Sequence, residues 1–244
     1  MNPIRTKLNV LSDPSAAELS RTESVHLQTH GPTRLDIEVI SDVICPWCYV
    51  GKRRLEKAIH LLGPEAHVTV TWRPFQLNPT MPKAGMDRNE YRSAKFGSLE
   101  RSHALDAKVA AVGAAEGIEF HFDSIHRTPN TLDAHRLIWL AQHQGRQDAV
   151  VEALFRAYFV DAVDVGEPRN LITIAAAVGM EKESVEQVLA SDAGLEEMLA
   201  EERRFKGMRI DGVPGFFLNG RFLFSGAAEP QDLAEAFLGT ASRL

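Results

Sequence analysis

The feature that most constrains the fold of this chain is a pair of cysteines between a predicted strand and a predicted helix. Leu35 to Ile40 alternates apolar and polar residues and is rich in β-branched side chains, which predicts a strand. Cys45-Pro46-Trp47-Cys48 follows, and apolar residues then recur every three or four positions as far as Leu62. This spacing predicts a helix that Gly63-Pro64 ends. The cysteines therefore lie in a strand, turn and helix unit.

The number of cysteines and the charge exclude several classes of protein. The 244 residues include only two cysteines, too few for a scaffold of several disulfides or for a four-cysteine zinc or iron–sulfur site. A net charge of -6 provides no electrostatic basis for binding nucleic acid or an anionic membrane. We find neither a secretory signal nor an apolar run of the ~18 residues that cross a bilayer. We therefore expect a cytoplasmic protein, in which paired cysteines are more often reactive than structural.

The order of the predicted elements places a long helical segment inside an α/β domain. A second strand is predicted near residues 67–77 and six helices within 88–206. Two short strands joined by Asn219-Gly220 follow, then a helix that begins at Glu229-Pro230 and ends at Gly239. We also expect a short helix after Asp13-Pro14 and a binding groove between two lobes. The predicted parts are a polar N-terminal arm at 1–33, the first half of the α/β domain at 34–85, a helical insertion at 86–206 and the second half at 207–244.

The two cysteines have different expected environments. With Pro46 at the first helical position, Cys45 is the predicted N-cap residue, and its sulfur would lie near the free N–H groups of Trp47 and Cys48. These donors and the helix dipole favour the thiolate, so Cys45 is the expected nucleophile. Cys48 lies one turn deeper on the apolar stripe, where burial keeps the thiol neutral, and is the expected resolving cysteine. Pro46 and Trp47 are expected to tune the redox potential and the approach of substrate.

Two further features near the predicted third strand and the first cysteine have alternative interpretations. Val213-Pro214 precedes the third strand. A cis bond there would aim the backbone groups of Val213 toward an extended substrate beside Cys45, whereas a trans bond would make an ordinary turn.

Asp42, three residues before Cys45, either accepts a proton or caps the turn. A zinc half-site is the alternative to disulfide exchange for the cysteine pair, although no histidine pair follows at zinc-finger spacing.

Four motifs in this order resemble the DsbA-like thioredoxin-fold oxidoreductases, most closely their FrnE-like branch, over roughly residues 35–239. The resemblance implies an α/β, thioredoxin-like fold with an inserted all-helical domain, dithiol–disulfide exchange at Cys45 and Cys48, and a cis Pro214 packed against them. The motifs are Asp42-x-x-Cys45-Pro46-Trp47-Cys48-Tyr49-x-Gly51, Arg73-Pro74-Phe75-Gln76-Leu77-Asn78-Pro79, Thr128-Pro129-Asn130-Thr131-Leu132-Asp133-Ala134-His135-Arg136-Leu137 and Gly212-Val213-Pro214.

The resemblance also places a helix start opposite the cysteine pair. Asn130 and Thr131 are expected to cap this helix. His135 either assists proton transfer or belongs to the helix surface. The basic run Lys52-Arg53-Arg54 is expected to form a solvated helix face.

We therefore predict a thiol–disulfide oxidoreductase or isomerase that acts on protein or low-molecular-weight disulfides, as a monomer or homodimer. It would require no cofactor or metal, would use glutathione as a redox partner, and would bind neither nucleic acid nor membrane. The first alternative is a glutathione-dependent isomerase or transferase of the hydroxychromene-carboxylate isomerase and kappa type, relatives that have serine where Cys45 stands. The second is a zinc-binding or redox-regulated interaction module.

Overall fold

The computed structural model describes residues 33–208, 210 and 212–241. The predicted N-terminal arm, apart from Thr33, and the short helix expected after Asp13-Pro14 lie outside these residues. Across the described part of the chain, no helix is both long and apolar enough to cross a bilayer.

A four-stranded sheet brings together the segments on either side of the helical region. β1 (Thr33–Ser41) lies between β2 (Ala66–Pro74), which runs parallel to it, and β5 (Gly215–Leu218), which runs antiparallel. β6 (Arg221–Ser225) pairs with β5 across a turn at Asn219-Gly220, where both residues have positive φ, as a tight hairpin requires. The strand order is β2-β1-β5-β6, so the chain returns from the helical region to the strand that precedes the cysteines.

The apolar side chains of β1 form the centre of the core. Leu35, Ile37 and Val39 are at most 1% exposed, in agreement with the alternation in the sequence. Val39 lies opposite Trp72 of β2 on one side and Phe216 of β5 on the other. Both parts of the α/β domain therefore contribute to one core.

Two long helices belong to the sheet domain. α1 (Pro46–Leu62) begins and ends where the sequence predicts, and it packs against α9 (Pro230–Ala241). The predicted end of the last helix at Gly239 is wrong. Phe237 and Thr240 are both buried, and this packing outweighs the weak helix propensity of glycine.

Seven helices of the described chain lie between β2 and β5. They are α2 (Arg88–Phe96), α3 (Leu99–Ala115), α4 (Leu132–His143), α5 (Gln147–Phe159), α6 (Pro168–Ala177), α7 (Lys182–Leu189) and α8 (Leu195–Gly207). The sequence predicted six helices in this region, and α2 is the helix that it missed. The helical region is therefore inserted between two strands of the sheet, as expected. The exact domain boundaries remain a prediction.

The sequence patterns did not predict α2 or the small sheet beside it. Asp87 caps α2 by accepting a hydrogen bond from the Glu90 N–H at 3.0 Å, so the Asp-x-x-Glu spacing was a signal of a helix start. β3 (Met86–Asp87) pairs with β4 (Arg127–Thr128). Strands of two residues are too short to show a periodic pattern.

The basic run on α1 is not the solvated face that we expected. Lys52 is only 2% exposed and lies 3.3 Å from carboxylate oxygens of both Asp148 and Glu152 on α5. Arg54 donates to Glu116, just after α3, at 2.7 Å. These ion pairs tie the helix that begins at the cysteines to the inserted helices.

A glycine on α1 allows a close approach of the segment before β5. A Cβ atom at Gly51 would lie 2.8 Å from Cγ of Pro214, a distance shorter than van der Waals contact allows. The proline ring therefore packs directly on α1, one and a half turns beyond Cys45.

We predict that Gly51→Ala forces this contact apart. The free energy of unfolding should fall by roughly 1–3 kcal/mol, the usual cost of overpacking, measured by urea denaturation. Gly207→Ala is the matched control, because its Cβ would meet no described atom within 4 Å. Alanine there should leave stability unchanged or raise it slightly. An equal effect of the two substitutions would contradict the close packing.

Candidate active site

Cys45 lies at the N-cap position of α1, where β1 ends and the helix begins. Its φ of -93° and ψ of 111° are extended, and Pro46 takes the first helical position. The Cys45 N–H donates to the Asp42 carbonyl at 3.0 Å, and the Cys45 carbonyl accepts from the Cys48 N–H at 3.0 Å. The turn is therefore held by backbone hydrogen bonds, and the sulfur is left to make other contacts.

The predicted contact between the Cys45 sulfur and the N–H groups of Trp47 and Cys48 is wrong. Sγ makes no hydrogen bond to the start of the helix, and the Cys48 N–H, which was expected to be free, is bound by the Cys45 carbonyl. Instead, the Cys45 thiol donates to the Val213 carbonyl at 3.7 Å. In this dithiol state the sulfur therefore faces the segment before β5.

Cys48 lies behind Cys45, and both cysteines are free thiols. Cys48 is fully buried in the apolar core. Burial raises the pKa of the Cys48 thiol well above its usual value, and a hydrogen bond with Cys45 adds to the increase. This agrees with the expectation of a neutral thiol at this position.

The Val213–Pro214 peptide bond is cis, the form that the family resemblance implied. Pro214 is buried, and its carbonyl accepts a hydrogen bond from the Gly226 N–H at 2.7 Å. The structure thus brings Val213 and Pro214 to the cysteine pair from a distance of more than 160 residues in the sequence.

Asp42 and His135 form a buried pair beside the cysteines. Oδ2 of Asp42 accepts a hydrogen bond from the Leu77 N–H at 2.8 Å. Oδ1 of Asp42 lies 3.4 Å from Nε2 of His135 on α4. Neither of these two atoms has a well-aligned hydrogen-bond partner among the described residues. Asp42 is fully buried and His135 is 3% exposed, so His135 faces inward and does not belong to the helix surface.

The helix that contains His135 is capped by one of the two predicted residues. Asn130 Oδ1 accepts from the Leu132 N–H at 2.9 Å, and Asn130 Nδ2 donates to the Met81 carbonyl at 2.7 Å. Thr131 takes the N-cap position without a side-chain capping bond, so the predicted capping role of its hydroxyl is wrong. The Asn130 amide oxygen already binds the helix start that the hydroxyl was expected to bind.

A cavity of about 340 Å³ opens beside Cys45. Pro46 and the half-buried Trp47 line it together with Cys45, and their expected influence on redox potential and substrate approach stays a prediction. The opposite walls come from α2, α3 and β4. Sequence reasoning missed these walls because it missed α2, although the i, i+4 spacing of Arg88 and Arg92 indicated a shared helix face.

Acidic, histidine and cysteine side chains do not cluster elsewhere as a metal site would require. Within the described ranges, no group of three or more of these residues has the geometry to hold a metal ion.

Comparison with known proteins places this geometry among thioredoxin folds. The family model of the DSBA-like thioredoxin domain matches residues 36–238. The crystal structure of a probable DsbA oxidoreductase from Streptomyces coelicolor is 34% identical, covers 86% of this chain and 90% of its own, and has a TM-score of 0.78. The predicted fold, a DsbA-like thioredoxin fold with a helical insertion, is confirmed.

Two more distant structures share the fold alone. A 2-hydroxychromene-2-carboxylate isomerase is 16% identical, covers 85% of this chain and 96% of its own, and has a TM-score of 0.64. The cytosolic disulfide reductase DsbM from Pseudomonas aeruginosa, solved with GSH, is 20% identical, covers 86% of this chain and all of its own, and has a TM-score of 0.60.

The buried position of Cys48 predicts slow alkylation. In Cys45→Ser, Cys48 is the remaining cysteine, and its raised pKa means that little of the reactive thiolate is present at pH 8. We expect native protein to react with iodoacetamide at least about tenfold more slowly than denatured protein. The rate should rise as the pH approaches 10.

Cys48→Ser provides the matched control, because Cys45 lines the cavity and should react in the native state. Mass spectrometry of timed samples measures both rates. Equal rates for Cys48 in native and denatured protein would contradict its burial.

Proposed function

Because this chain belongs to the DsbA-like thioredoxin domain family, we propose that it is a thiol–disulfide oxidoreductase in which Cys45 is the nucleophile and Cys48 the resolving cysteine. One observation carries this assignment. Of two adjacent free thiols, Cys45 lines a cavity and Cys48 is sealed behind it. A substrate therefore meets Cys45 first, and Cys48 reaches the sulfur of Cys45 itself once that sulfur is joined to the substrate.

The reaction exchanges one disulfide for another. The Cys45 thiolate attacks a substrate disulfide, forms a mixed disulfide with one half and releases the other half as a thiolate. Cys48 then loses its proton and attacks Sγ of Cys45, which releases the second thiolate and leaves a Cys45–Cys48 disulfide. The substrate gains two electrons and the protein loses two; the reverse sequence oxidises a dithiol.

The segment before β5 supplies the docking groups in this proposal. The Val213 carbonyl already binds the Cys45 thiol at 3.7 Å, so a substrate sulfur bound to Cys45 lies beside the Val213 backbone. An extended substrate can pair with that backbone as an added strand segment. Pro214, packed on Gly51, holds this segment against α1, while Pro46 and Trp47 form the adjoining wall.

We propose that Asp42 and His135 take part directly in proton transfer. The thiol of Cys48 lies against the backbone of Asp42, and the Asp42 carboxylate faces His135 across 3.4 Å. Within the described ranges, Oδ1 of Asp42 and Nε2 of His135 have no hydrogen-bond partner, so this pair has the capacity to accept the Cys48 proton when the mixed disulfide resolves. Asn130 caps the helix that carries His135, and the backbone carbonyl of Thr131 accepts the His135 N–H at 3.0 Å.

We further propose glutathione as a redox partner, no bound cofactor, and the cytoplasm as the compartment. The chain contains no third cysteine, so electrons must be exchanged with an external thiol. DsbM, which shares the fold, is described as a cytosolic disulfide reductase and was solved with GSH.

Replacing the resolving cysteine tests the proposed roles. Cys48→Ser should accumulate a stable mixed disulfide on Cys45 when reduced protein is mixed with glutathione disulfide, because nothing remains to release it. Cys45→Ser, the matched control, should accumulate none. Mass spectrometry under non-reducing conditions measures both.

Absence of an adduct in Cys48→Ser would contradict the exchange mechanism. Glutathione bound tightly and non-covalently, without turnover of disulfides, would favour the glutathione-dependent isomerase or transferase instead. Stoichiometric metal in protein purified without chelator would favour the zinc-binding module.

Asp42→Asn tests the proton-transfer role, because asparagine can still accept the Leu77 N–H. The resolving step should slow by about 100-fold at pH 7, within the usual contribution of a general base. The loss should shrink as rising pH deprotonates Cys48 without help. Quenched-flow release of the second thiol measures this step, and a loss that stays constant from pH 7 to 10 would contradict the role.

A further inference from the structure

The cavity beside Cys45 combines apolar walls with an excess of positive charge. Its apolar residues include Ile44, Trp47, Leu77, Phe96, Leu105 and Val109. Its charged residues are four cations and one carboxylate: Arg88, Arg92, Lys95, Lys108 and Asp106. The protein as a whole carries a net charge of -6, so this cavity has the opposite sign to the rest of the chain.

The single carboxylate does not neutralise the cations. Arg88 lies 3.1 Å from Asp106 Oδ2, and Arg92 binds Oδ1 of the same group. Burial lowers the pKa of Arg92, and the neighbouring Arg88 cation adds to this effect while Asp106 opposes it. Two guanidinium groups therefore share one carboxylate. The part of the cavity wall formed by Arg88 and Arg92 can bind a further anion.

The two lysines of the cavity differ from its arginines in their partners. Lys95 donates to the Tyr91 hydroxyl at 2.6 Å. Among the residues that the structure describes, no carboxylate lies within 4 Å of the ammonium group of Lys95 or Lys108. Both side chains are exposed at the cavity, where they can move toward a bound anion.

A buried hydroxyl in the cavity wall provides a second, independent observation. Thr128 is 2% exposed, and its Oγ1 has no hydrogen-bond partner among the described residues. An unpaired buried hydroxyl costs stability. A ligand with a polar group would provide the missing partner.

The burial of Cys45 favours a small molecule over a protein as the occupant. Cys45 is only 6% exposed, so the disulfide of a folded protein would have to enter the cavity to reach it. The volume of about 340 Å³ lies at the lower end of the range for small-molecule sites.

Building on the proposed function, we propose that the preferred substrate is a low-molecular-weight disulfide with a carboxylate close to the sulfur. The carboxylate binds the cationic wall formed by Arg92, Lys95 and Lys108, with Thr128 as a hydrogen-bond donor. The carbon chain packs on the apolar wall and the disulfide reaches Cys45. In the exchange, Cys45 keeps one anionic half as a mixed disulfide and the other half leaves as a thiolate; Cys48 then displaces the bound half.

The test compares three small disulfides in a single turnover of pre-reduced protein, so that no further reductant is needed. The probes are 3,3′-dithiodipropionate, which is dianionic, 2-hydroxyethyl disulfide, which is neutral, and cystamine, which is dicationic. Second-order rate constants are measured by acid quench and mass spectrometry at low ionic strength. Each probe is compared with itself across variants, so differences in leaving-group chemistry cancel.

For the double variant Lys95→Gln and Lys108→Gln, the ratio of the anionic to the neutral rate constant should fall about tenfold at low salt, as expected for two exposed charges. The ratio for cystamine should rise. Added KCl should lower the wild-type ratio toward that of the variant. Lys182→Gln, an exposed lysine of α7 that does not line the cavity, should keep the wild-type ratios.

Thr128→Val separates the hydroxyl from the charge. The anionic rate constant should fall severalfold without loss of stability, because the hydroxyl makes no bond in the free protein. An unchanged anionic rate constant would remove Thr128 from the site.

Equal losses with all three probes in the double lysine variant would overturn the proposal. The proposal would also be overturned if insulin disulfides reacted faster than dithiodipropionate and if the lysine substitutions left the insulin rate unchanged. Failure of the underlying function has a different signature. In that case none of the three probes reacts with wild-type protein, or Cys45→Ser reacts as fast as wild type.

Discussion

The antiparallel pairing of β5 with β1 is the constraint on which the rest of this structure depends. β1 leads into the cysteine turn, and β5 follows Val213 and Pro214. Their pairing brings two segments from opposite ends of the described chain to one point, with the inserted helices between them. The absence of a side chain at Gly51 then lets Pro214 press on α1. Without this pairing the cysteines would lie on an isolated helix start.

The same geometry places two thiols, three residues apart, in different environments. One turn of helix separates a sulfur that lines a cavity from one buried in the core. Burial raises the pKa of the Cys48 thiol, and in our proposal the buried Asp42–His135 pair accepts the proton when Cys48 reacts. The asymmetry is a consequence of where α1 enters the core, and it is the basis of the order that we propose for the two steps of exchange.

Much of this was predictable from sequence, because strong local patterns determined it. The alternation in Leu35 to Ile40, the stripe to Leu62 and the Asn219-Gly220 turn each specify their element. The Val213 backbone was expected beside Cys45 only for a cis bond at Pro214, and the helix-start pattern alone did not predict which group the Cys45 thiol binds. This thiol donates to the Val213 carbonyl, a contact that tertiary structure creates. The burial of Lys52 was likewise not predictable, because only the tertiary structure places the carboxylates of α5 beside it. The cationic cavity was not predicted because α2, which forms part of its wall, was not predicted.

The most direct test of the central claim is a redox equilibrium of the Cys45–Cys48 pair. Wild-type protein is equilibrated in dithiothreitol buffers of graded potential, and free thiols are counted by mass spectrometry after alkylation. If the pair exchanges two electrons reversibly, we expect a single transition in which both cysteines change together. The buffer potential should then change by about 30 mV for each tenfold change in the ratio of oxidised to reduced protein. Independent transitions of the two cysteines, or disulfides that form only between molecules, would contradict the account.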